Sequence, residues 1–308
     1  MPGHLQNEHL AKPLPNHMCC CACSSSVRTE RRASQQRHHS QHGWLDSRHT
    51  FNFSFHHKPS MENFHALRVL NEDHVSPQEG FPTHGHSSYQ IFSYVVDGSI
   101  RHKDSLGNIE VIDRGGVQFT NAGTGIRHSE FNASSQDMLH FLQVWVKPVQ
   151  SLLEPCYSTK YFTEDEKRGK LCHLIKPASQ EAIAHAAAVA TGAESSDSLS
   201  TYQDASEDQI SIFADFNAYA TILQTGDEVR LPVGKGRAVW IHVVERNPNA
   251  DVHLSIHPLV DGGDESPVEE HLGMGDGIGV ENAEEIVLRG VHAEGEAEVV
   301  LFEMDASQ

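Results

Sequence analysis

The most constraining feature of this sequence is a long series of short apolar segments with period-two alternation, separated by turns rich in glycine. The segments are spaced about ten residues apart, as in sandwiches and small barrels. They lie at 66–70, 91–96, 109–112, 117–120 and 139–146, and again at 210–213, 218–224, 238–244, 253–256, 285–288 and 298–303. Alternation of this kind predicts half-buried strands. We therefore expect an all-β protein.

The chain of 308 residues is long enough for two domains, each with a core of its own. A segment at 178–209, rich in Ser, Ala, Asp and Glu, interrupts the strand pattern, and only 181–190 within it has a helical composition. We expect a disordered extension at 1–26, a first β domain at 27–176, a linker or insertion at 177–208 and a second β domain at 209–308. The alternating stretch at 51–55 is also expected to form a strand.

The charge balance restricts the classes of partner. Lys and Arg number 23 against 42 Asp and Glu, which gives a net charge of -19. A strongly acidic chain is not attracted to nucleic-acid phosphates or to anionic lipid, so neither is expected as a partner. No run reaches the length of about 20 apolar residues that a membrane span needs.

The cysteines indicate a reducing compartment. Four of the six fall between positions 19 and 23, and only Cys156 and Cys172 lie in the body. Neighbouring cysteines cannot link distant parts of a fold, and the first residues contain no apolar segment of the secretory type. An intracellular location, cytoplasmic or nuclear, is therefore expected.

Two pairs of candidate ligands carry the chemistry of this sequence. His84 and His86 differ by two, and so do His128 and Glu130. In a strand this spacing points both side chains of a pair to the same face. Three imidazoles and one carboxylate suit a divalent first-row ion such as Fe(II), Mn(II), Cu(II) or Ni(II), with positions left for water or substrate. A closed structural zinc site would more often use cysteines.

Other histidines lack such a partner. Nothing near His102, or near the pairs at 38–39 and 56–57, completes a ligand set, so these side chains are expected to be solvent exposed. In the second half, the histidines do not form two period-two pairs and are expected to be structural or exposed. They are His242, His253, His257, His271 and His292.

Several segments, in order, resemble the pirin family of the cupin superfamily, especially its two-barrel members with quercetin dioxygenase activity. The segments are HGWLDSRHTFNFS, FHALRVLNEDHV, GFPTHGH, HKDSLGN, TNAGTGIRHSEFN and LHFLQVWV. The resemblance covers about residues 27–175. It continues more faintly over 208–305 through RAVWIHVV, GDGIGV and EVVLFEM.

The resemblance implies two jelly-roll barrels packed together, with a metal ion in the first and none in the second. Carried over by position, the family's ligands are His84, His86, His128 and Glu130, and the implied ion is Fe(II), with Mn, Ni, Cu or Zn as alternatives. The implied reaction is the opening of a flavonol heterocycle by O2, in which Glu130 is either both ligand and base or a ligand alone. The alternative is a non-catalytic iron-binding co-regulator that binds a transcription factor.

A flat aromatic substrate requires an apolar slot beside the metal. The aromatic residues on strands flanking the ligand pairs are the candidates, namely Phe92, Tyr94, Phe119 and Trp145. Alternation by itself does not tell which face of each strand is inward.

The chain departs from the family's usual pattern at the first histidine pair. Members commonly have proline between the two histidines and charged residues after them, whereas here the positions hold Gly85, Ser87, Ser88 and Gln90. Loss of the proline's stiffness and of a nearby charge is expected to alter how the ligands are oriented.

Overall fold

The structure, a computed structural model, describes residues 26–193, 208–259 and 265–307. The expected extension at 1–26, apart from its last residue, and the part of the expected linker at 194–207 lie outside these ranges. None of the described helices is long and apolar enough to cross a bilayer.

Strands dominate the described chain. Those of the first half are β1 (Arg28–Arg32), β2 (His38–Gln41), β3 (Leu45–His49), β4 (Leu67–Val75), β5 (Gly80–His86), β6 (Gln90–Asp97), β7 (Ser99–Asp104), β8 (Ile109–Asp113), β9 (Gly116–Asn121), β10 (Ile126–Asn132), β11 (Leu139–Val146) and β12 (Cys156–Tyr161). Those of the second half are β13 (Cys172–Pro177), β14 (Ile210–Ile212), β15 (Phe216–Leu223), β16 (Glu228–Pro232), β17 (Arg237–Val243), β18 (Asp251–Pro258), β19 (Val268–Gly273), β20 (Gly277–Glu281), β21 (Ala283–Gly290) and β22 (Ala297–Asp305). The α-helices are α1 (Glu164–Lys167) and α2 (Gln180–Ala190).

The strands form two jelly-roll barrels, each made of a seven-stranded and a four-stranded sheet. The first barrel has the orders β12-β9-β6-β11-β4-β3-β2 and β5-β10-β7-β8. The second has the orders β1-β20-β17-β22-β15-β13-β14 and β16-β21-β18-β19. The prediction of an all-β fold with two cupin barrels is confirmed.

The two seven-stranded sheets share one apolar core. Phe92 of β6 packs against Phe216 of β15 and Phe302 of β22, with ring centroids 6.2 and 6.1 Å apart. Alternation along β6 and β9 explains this core, because every second side chain of these strands points away from the first barrel. A large buried apolar interface of this kind holds the two barrels together.

The two barrel interiors differ in chemistry. The second barrel is filled by aliphatic side chains, among them Val239, Ile241, Leu254, Ile256, Leu288 and Leu301. Among the described residues, the first has a smaller apolar cluster that includes Phe141. Its remaining interior is lined with polar side chains, and the candidate ligands lie there.

A buried polar cluster also connects the barrels. The Glu72 carboxylate of β4 accepts hydrogen bonds from Arg37 at 2.9 Å, from His140 at 3.0 Å and from His242 of the second barrel at 3.0 Å. The backbone N–H of Glu245 donates to the same carboxylate at 2.6 Å. Burial alone raises the pKa of Glu72, but Arg37 and the two histidines outweigh it and hold that pKa well below its usual range.

The structure differs from the sequence expectations at three places. β1 lies within the expected first domain but pairs with β20 of the second barrel, and β13 pairs with β14 and β15. The stretch at 51–55 is a loop and not a strand, since Ser54 has φ of 53° and Phe53 forms only an isolated bridge with His56. The expected helix at 181–190 is confirmed as α2.

Candidate metal and substrate site

The two predicted ligand pairs lie on neighbouring strands of the four-stranded sheet. β5 and β10 are antiparallel, and His84 is directly opposite His128. The rings of His84, His86 and His128 converge, with centroids 4.7 to 4.8 Å apart. One donor atom from each of the three side chains lies within 4.8 Å of the others. Strand period and register together bring these imidazoles to one point.

The ring nitrogens of this triad are poised for an ion. His84 Nδ1–H donates to the Pro82 carbonyl at 2.8 Å, which leaves Nε2 with its lone pair. His86 Nε2 and both nitrogens of His128 are buried without a hydrogen-bond partner among the described residues. Orphaned nitrogens that face one another suit a divalent metal, since a ligating histidine commonly donates its other N–H to a carbonyl.

The protonation states of His86 and His128 also favour a metal site. Burial, and then the neighbouring His128 and His84, lower the pKa of His86 to about 4. Burial also lowers the pKa of His128, although Glu130 opposes the effect. Both imidazoles are therefore neutral at pH 7, the form in which histidine binds metals.

Glu130 is held from three sides. Its Oε1 accepts from Gln118 Nε2 and, at 3.3 Å, from Ser93 Oγ, while Oε2 accepts from Gln143 Nε2 at 3.0 Å. The side chain is buried, with a relative exposure of 1%. The carboxylate is thus fixed with an oxygen within 4.8 Å of a ring nitrogen of His128.

The four predicted ligands form two overlapping groups and not one. Glu130 lies within 4.8 Å of His128 and His102, whereas His84 and His86 group with His128 alone. His128 belongs to both groups because β10 is the central strand, with β5 on one side and β7 on the other.

His102 is not exposed, and the expectation from the sequence was wrong. It lies opposite Glu130 on β7, has a relative exposure of 0% and stacks on Tyr157 with centroids 4.5 Å apart. Its Nε2–H donates to Asp104 Oδ2 at 3.1 Å. A signal was present in the sequence, because His102 and Asp104 also differ by two. Strand β7 carries a third pair on the same face of the sheet.

Three of the four predicted pocket residues lie elsewhere. Phe92, Tyr94 and Phe119 belong to the core between the barrels, so the prediction that they line the pocket is corrected. Their neighbours Ser93 and Gln118 reach Glu130, and alternate side chains of a strand point to opposite faces.

Trp145 does lie at the site. Its ring centroid is 4.9 Å from that of His86, and its Nε1–H donates to Gln143 Oε1 at 3.3 Å. Gln143 in turn donates to Glu130. Trp145 thus contacts the histidine triad directly and the carboxylate through one amide.

A cavity of about 520 Å³ lies next to these groups, lined in part by Trp44, Phe53 and Phe81. Phe53 packs edge-on against Trp145 at 5.6 Å, and Phe81 lies 6.5 Å from His84. The cavity is therefore one aromatic ring away from the triad. Sequence reasoning missed these three aromatics, because two lie on loops and Phe81 precedes the first histidine pair.

Other histidines have local partners. His242 bonds Glu72, His253 pairs with Glu269, and His271 pairs with Asp251. His257 lies 3.5 Å from Ser255 Oγ, and His292 Nε2 lies 3.0 Å from the Gly295 carbonyl. His38 and His56 stack on each other at 3.7 Å and line the cavity.

The glycine between the first two histidines has free space around it. A Cβ at Gly85 would meet no atom closer than 3.8 Å, and the backbone there is that of an ordinary strand. A Cβ atom therefore fits sterically at this position. The glycine therefore serves no packing purpose in this chain.

The polar lining of the first barrel also contains Asp73, a carboxyl group with a raised pKa. Asp73 of β4 is fully buried and accepts a hydrogen bond from Ser47. Burial, with Glu130 and Glu72 nearby, raises the pKa of Asp73 to about 7, although the Ser47 bond opposes the shift.

We expect Asp73→Asn to make the protein more stable at alkaline pH, relative to the wild type, than at acid pH. Between the unfolded value of 3.8 and about 7, the folded protein holds a proton that the unfolded chain has lost. The stabilisation is complete below 3.8 and is lost as the pH rises through 7. The variant should gain roughly 2–4 kcal/mol over the wild type between pH 4.5 and pH 8.

Urea denaturation at the two pH values measures this difference. Asp113→Asn is the control, since Asp113 is exposed and its partner is the Ser99 hydroxyl, which does not titrate, and its effect should change little over the same interval. An equal effect of Asp73→Asn at both pH values would contradict a raised pKa.

The sequence of this chain is similar to those of known proteins. The family model described as Pirin matches residues 30–146. A protein from Escherichia coli K12 named quercetin 2,3-dioxygenase is 31% identical over 268 residues, which cover 87% of this chain and 95% of the relative. The chain belongs to the pirin family.

Further similarities concern a shorter sequence match and a solved structure. A pirin-like protein of Caulobacter vibrioides is 39% identical over 145 residues, which cover 47% of this pirin and 62% of the relative. The crystal structure of the bacterial pirin YhhW from Escherichia coli in complex with nickel(II) superposes with a TM-score of 0.69 at 29% identity. The match covers 90% of this pirin and 99% of YhhW.

Proposed function

We propose that this pirin binds one divalent metal ion through His84, His86, His128 and Glu130 and uses O2 to open the heterocycle of a flavonol such as quercetin. The observation that carries the proposal is the convergence of buried, unpartnered imidazole nitrogens on one face of the first barrel. The quercetin dioxygenase name of the 31% identical relative supports the reaction class. We propose Fe(II) as the ion.

When bound, the ion would act as a Lewis acid that lowers the pKa of a coordinated flavonol hydroxyl. The chain's own residues do the rest. His84, His86 and His128 hold the ion, and Glu130 accepts the hydroxyl proton if that oxygen comes within hydrogen-bond reach. Ser93, Gln118 and Gln143 keep the Glu130 carboxylate in place for this role.

The overall reaction balances without another reactant. Both atoms of O2 enter the ring-opened product, and one carbon of the heterocycle leaves as carbon monoxide. The protein has to bind a flat molecule, orient its hydroxyl-bearing edge toward the ion and exclude bulk water.

The aromatic cavity is the binding site that we assign to the flavonol. Its volume of about 520 Å³ is within the range of small-molecule sites. Trp44, Phe53 and Phe81 offer aromatic faces, and Trp145 contacts both Phe53 of the cavity and His86. A planar aromatic ligand can stack on such faces.

We expect the iron-loaded protein to consume quercetin in air, followed as loss of the flavonol absorbance. Trp145→Ala should raise KM about tenfold and leave the metal content near one ion per chain, because an aromatic contact is worth about 1 kcal/mol or more. Tyr161→Ala is the control, since Tyr161 is an exposed aromatic on the edge strand β12.

The outcomes distinguish the hypotheses. Stoichiometric metal without turnover would favour the non-catalytic iron-binding regulator. Turnover with an unchanged KM in Trp145→Ala would remove the aromatic cavity from the proposal and leave the metal site intact.

A further inference from the structure

The Asp104–His102 pair is built like a functional dyad. Asp104 is fixed by three hydrogen bonds besides that of His102, from the backbone N–H groups of Leu106 and Asn108 and from the Asn108 side chain, at 2.8 to 3.0 Å. A fixed carboxylate determines the tautomer of the imidazole that donates to it. His102 therefore carries its proton on Nε2 and a lone pair on Nδ1.

The Nδ1 lone pair has no partner. The atom is buried and makes no hydrogen bond among the described residues. The His102 ring stacks on Tyr157. It also contacts the His128 ring edge to face, with centroids 5.4 Å apart. An unsatisfied acceptor on a fully buried ring costs free energy unless a ligand or solvent satisfies it.

The position of His102 shows what it can reach. A donor atom of His102 lies within 4.8 Å of those of His128 and Glu130 but does not group with His84 or His86. Of the three histidines in the proposed ligand set, His102 thus groups with His128 alone. The His102 ring, with its unpartnered acceptor, therefore lies beside Glu130, the residue to which the hydroxyl proton is assigned.

We propose that His102, oriented by Asp104, accepts a hydrogen bond from the flavonol 3-hydroxyl when the substrate binds, before Glu130 takes that proton, and so makes the site specific for flavonoids that carry this group. The inference rests on the proposed function, because it names the residue that recognises the reacting hydroxyl. His102 is thus a specificity residue and not a metal ligand.

Burial and an unpartnered ring nitrogen do not by themselves distinguish His102, because His242 has both. His242 is also fully buried, donates Nε2–H to a buried carboxylate, Glu72, and has an unpartnered Nδ1. No group of potential metal ligands in the described chain includes it. The two histidines differ in their neighbours alone, and this makes His242 a matched control.

The test compares two ligands that differ in one group. Quercetin carries the 3-hydroxyl, and luteolin is the same flavonoid without it. Both are titrated without air against the zinc-loaded protein, and binding is followed by quenching of tryptophan fluorescence. The ratio of the two Kd values measures recognition of the hydroxyl, separately from turnover.

His102→Gln retains an amide that can donate to Asp104 and removes the Nδ1 acceptor. We expect it to reduce the preference for quercetin over luteolin about tenfold, the equivalent of one hydrogen bond, and to keep one zinc per chain. His242→Gln should leave the preference unchanged. His102→Asn, which places an amide oxygen near the Nδ1 position, should retain part of the preference.

Several results would overturn the inference. An unchanged preference in His102→Gln would show that the hydroxyl is recognised elsewhere, and loss of zinc from this variant would show that His102 is a ligand. If neither variant folds, ¹⁵N NMR of the zinc-loaded wild type decides. Quercetin, but not luteolin, should shift the His102 Nδ1 resonance, and equal shifts would contradict the assignment.

Failure of the proposed function is distinguishable from failure of this inference. A wild type that binds quercetin no better than luteolin and does not consume it contradicts the function itself. A wild type that prefers quercetin and consumes it, together with a His102→Gln variant of the same preference, contradicts only the role of His102.

Discussion

The His128→Ala variant is expected to lose stoichiometric metal and, with it, flavonol turnover. His128 is the one side chain common to both groups of donor atoms, and it lies on the strand between β5 and β7. Its removal leaves two imidazoles on one side and Glu130 with His102 on the other. Neither of these two remaining pairs of side chains supplies three of the predicted metal ligands.

The expected magnitude is large. Partners that only orient a ligand are worth about 10–100-fold in metal affinity, so loss of a ligand shared by both groups should weaken binding more than 100-fold. Metal analysis after dialysis against a chelator, with a parallel flavonol assay, measures both effects. Because buried His128 makes no hydrogen bond in the described chain, the free energy of unfolding of the metal-free form should change less than the affinity.

His253→Ala is the control for this experiment. His253 of β18 pairs with Glu269 of β19 in the second barrel and lies outside every donor group of the described residues. It should retain the wild-type metal content. One ion per chain in His128→Ala would overturn the ligand assignment.

Glu72→Ala is expected to destabilise the protein strongly. The side chains of Arg37 and Glu72 have no exposure, and the carboxylate also accepts from His140, His242 and the backbone of Glu245. Its removal takes away the fully buried counter-charge of Arg37 and leaves Glu245, at 3.1 Å, as the carboxylate beside the guanidinium. Breaking a buried pair of this kind costs about 3–5 kcal/mol.

Chemical denaturation of the metal-free protein measures the loss, so that metal binding does not contribute. The matched control is Glu270→Ala, because Glu270 forms an ion pair with Arg31 at the surface of the second barrel. An exposed pair contributes about 0–1 kcal/mol. A loss below 1 kcal/mol in Glu72→Ala would show that the cluster is not a stabilising connection between the barrels.

The strands and the two ligand pairs were accessible from the sequence because both depend on a local period of two. β11 was predicted with its observed bounds, and β6 and β9 within one or two residues. The pairs at 84/86 and 128/130 required only that their strands be neighbours. Register then brought His84 opposite His128.

What the sequence did not reveal depends on which face of a strand is inward. Phe92 and Ser93 are adjacent, yet one packs against the second barrel and the other reaches Glu130. Alternation is symmetric with respect to the two faces, and both faces of the large sheet in the first barrel are covered. The role of His102 was missed for a related reason, because its partners Glu130 and His128 come from another strand.

Because β1 pairs with β20, the second barrel contains strands from distant parts of the chain, which are synthesised at different times. Arg28 lies opposite Glu281, 253 residues later, so the second barrel is complete only when both ends of the chain are present. Contacts between such distant positions form late and slowly. Until then the edge of β20 lacks its neighbour, and an open strand edge favours pairing with other chains. The N-terminal strand therefore protects the C-terminal barrel from association, and the two barrels are not separable units of assembly.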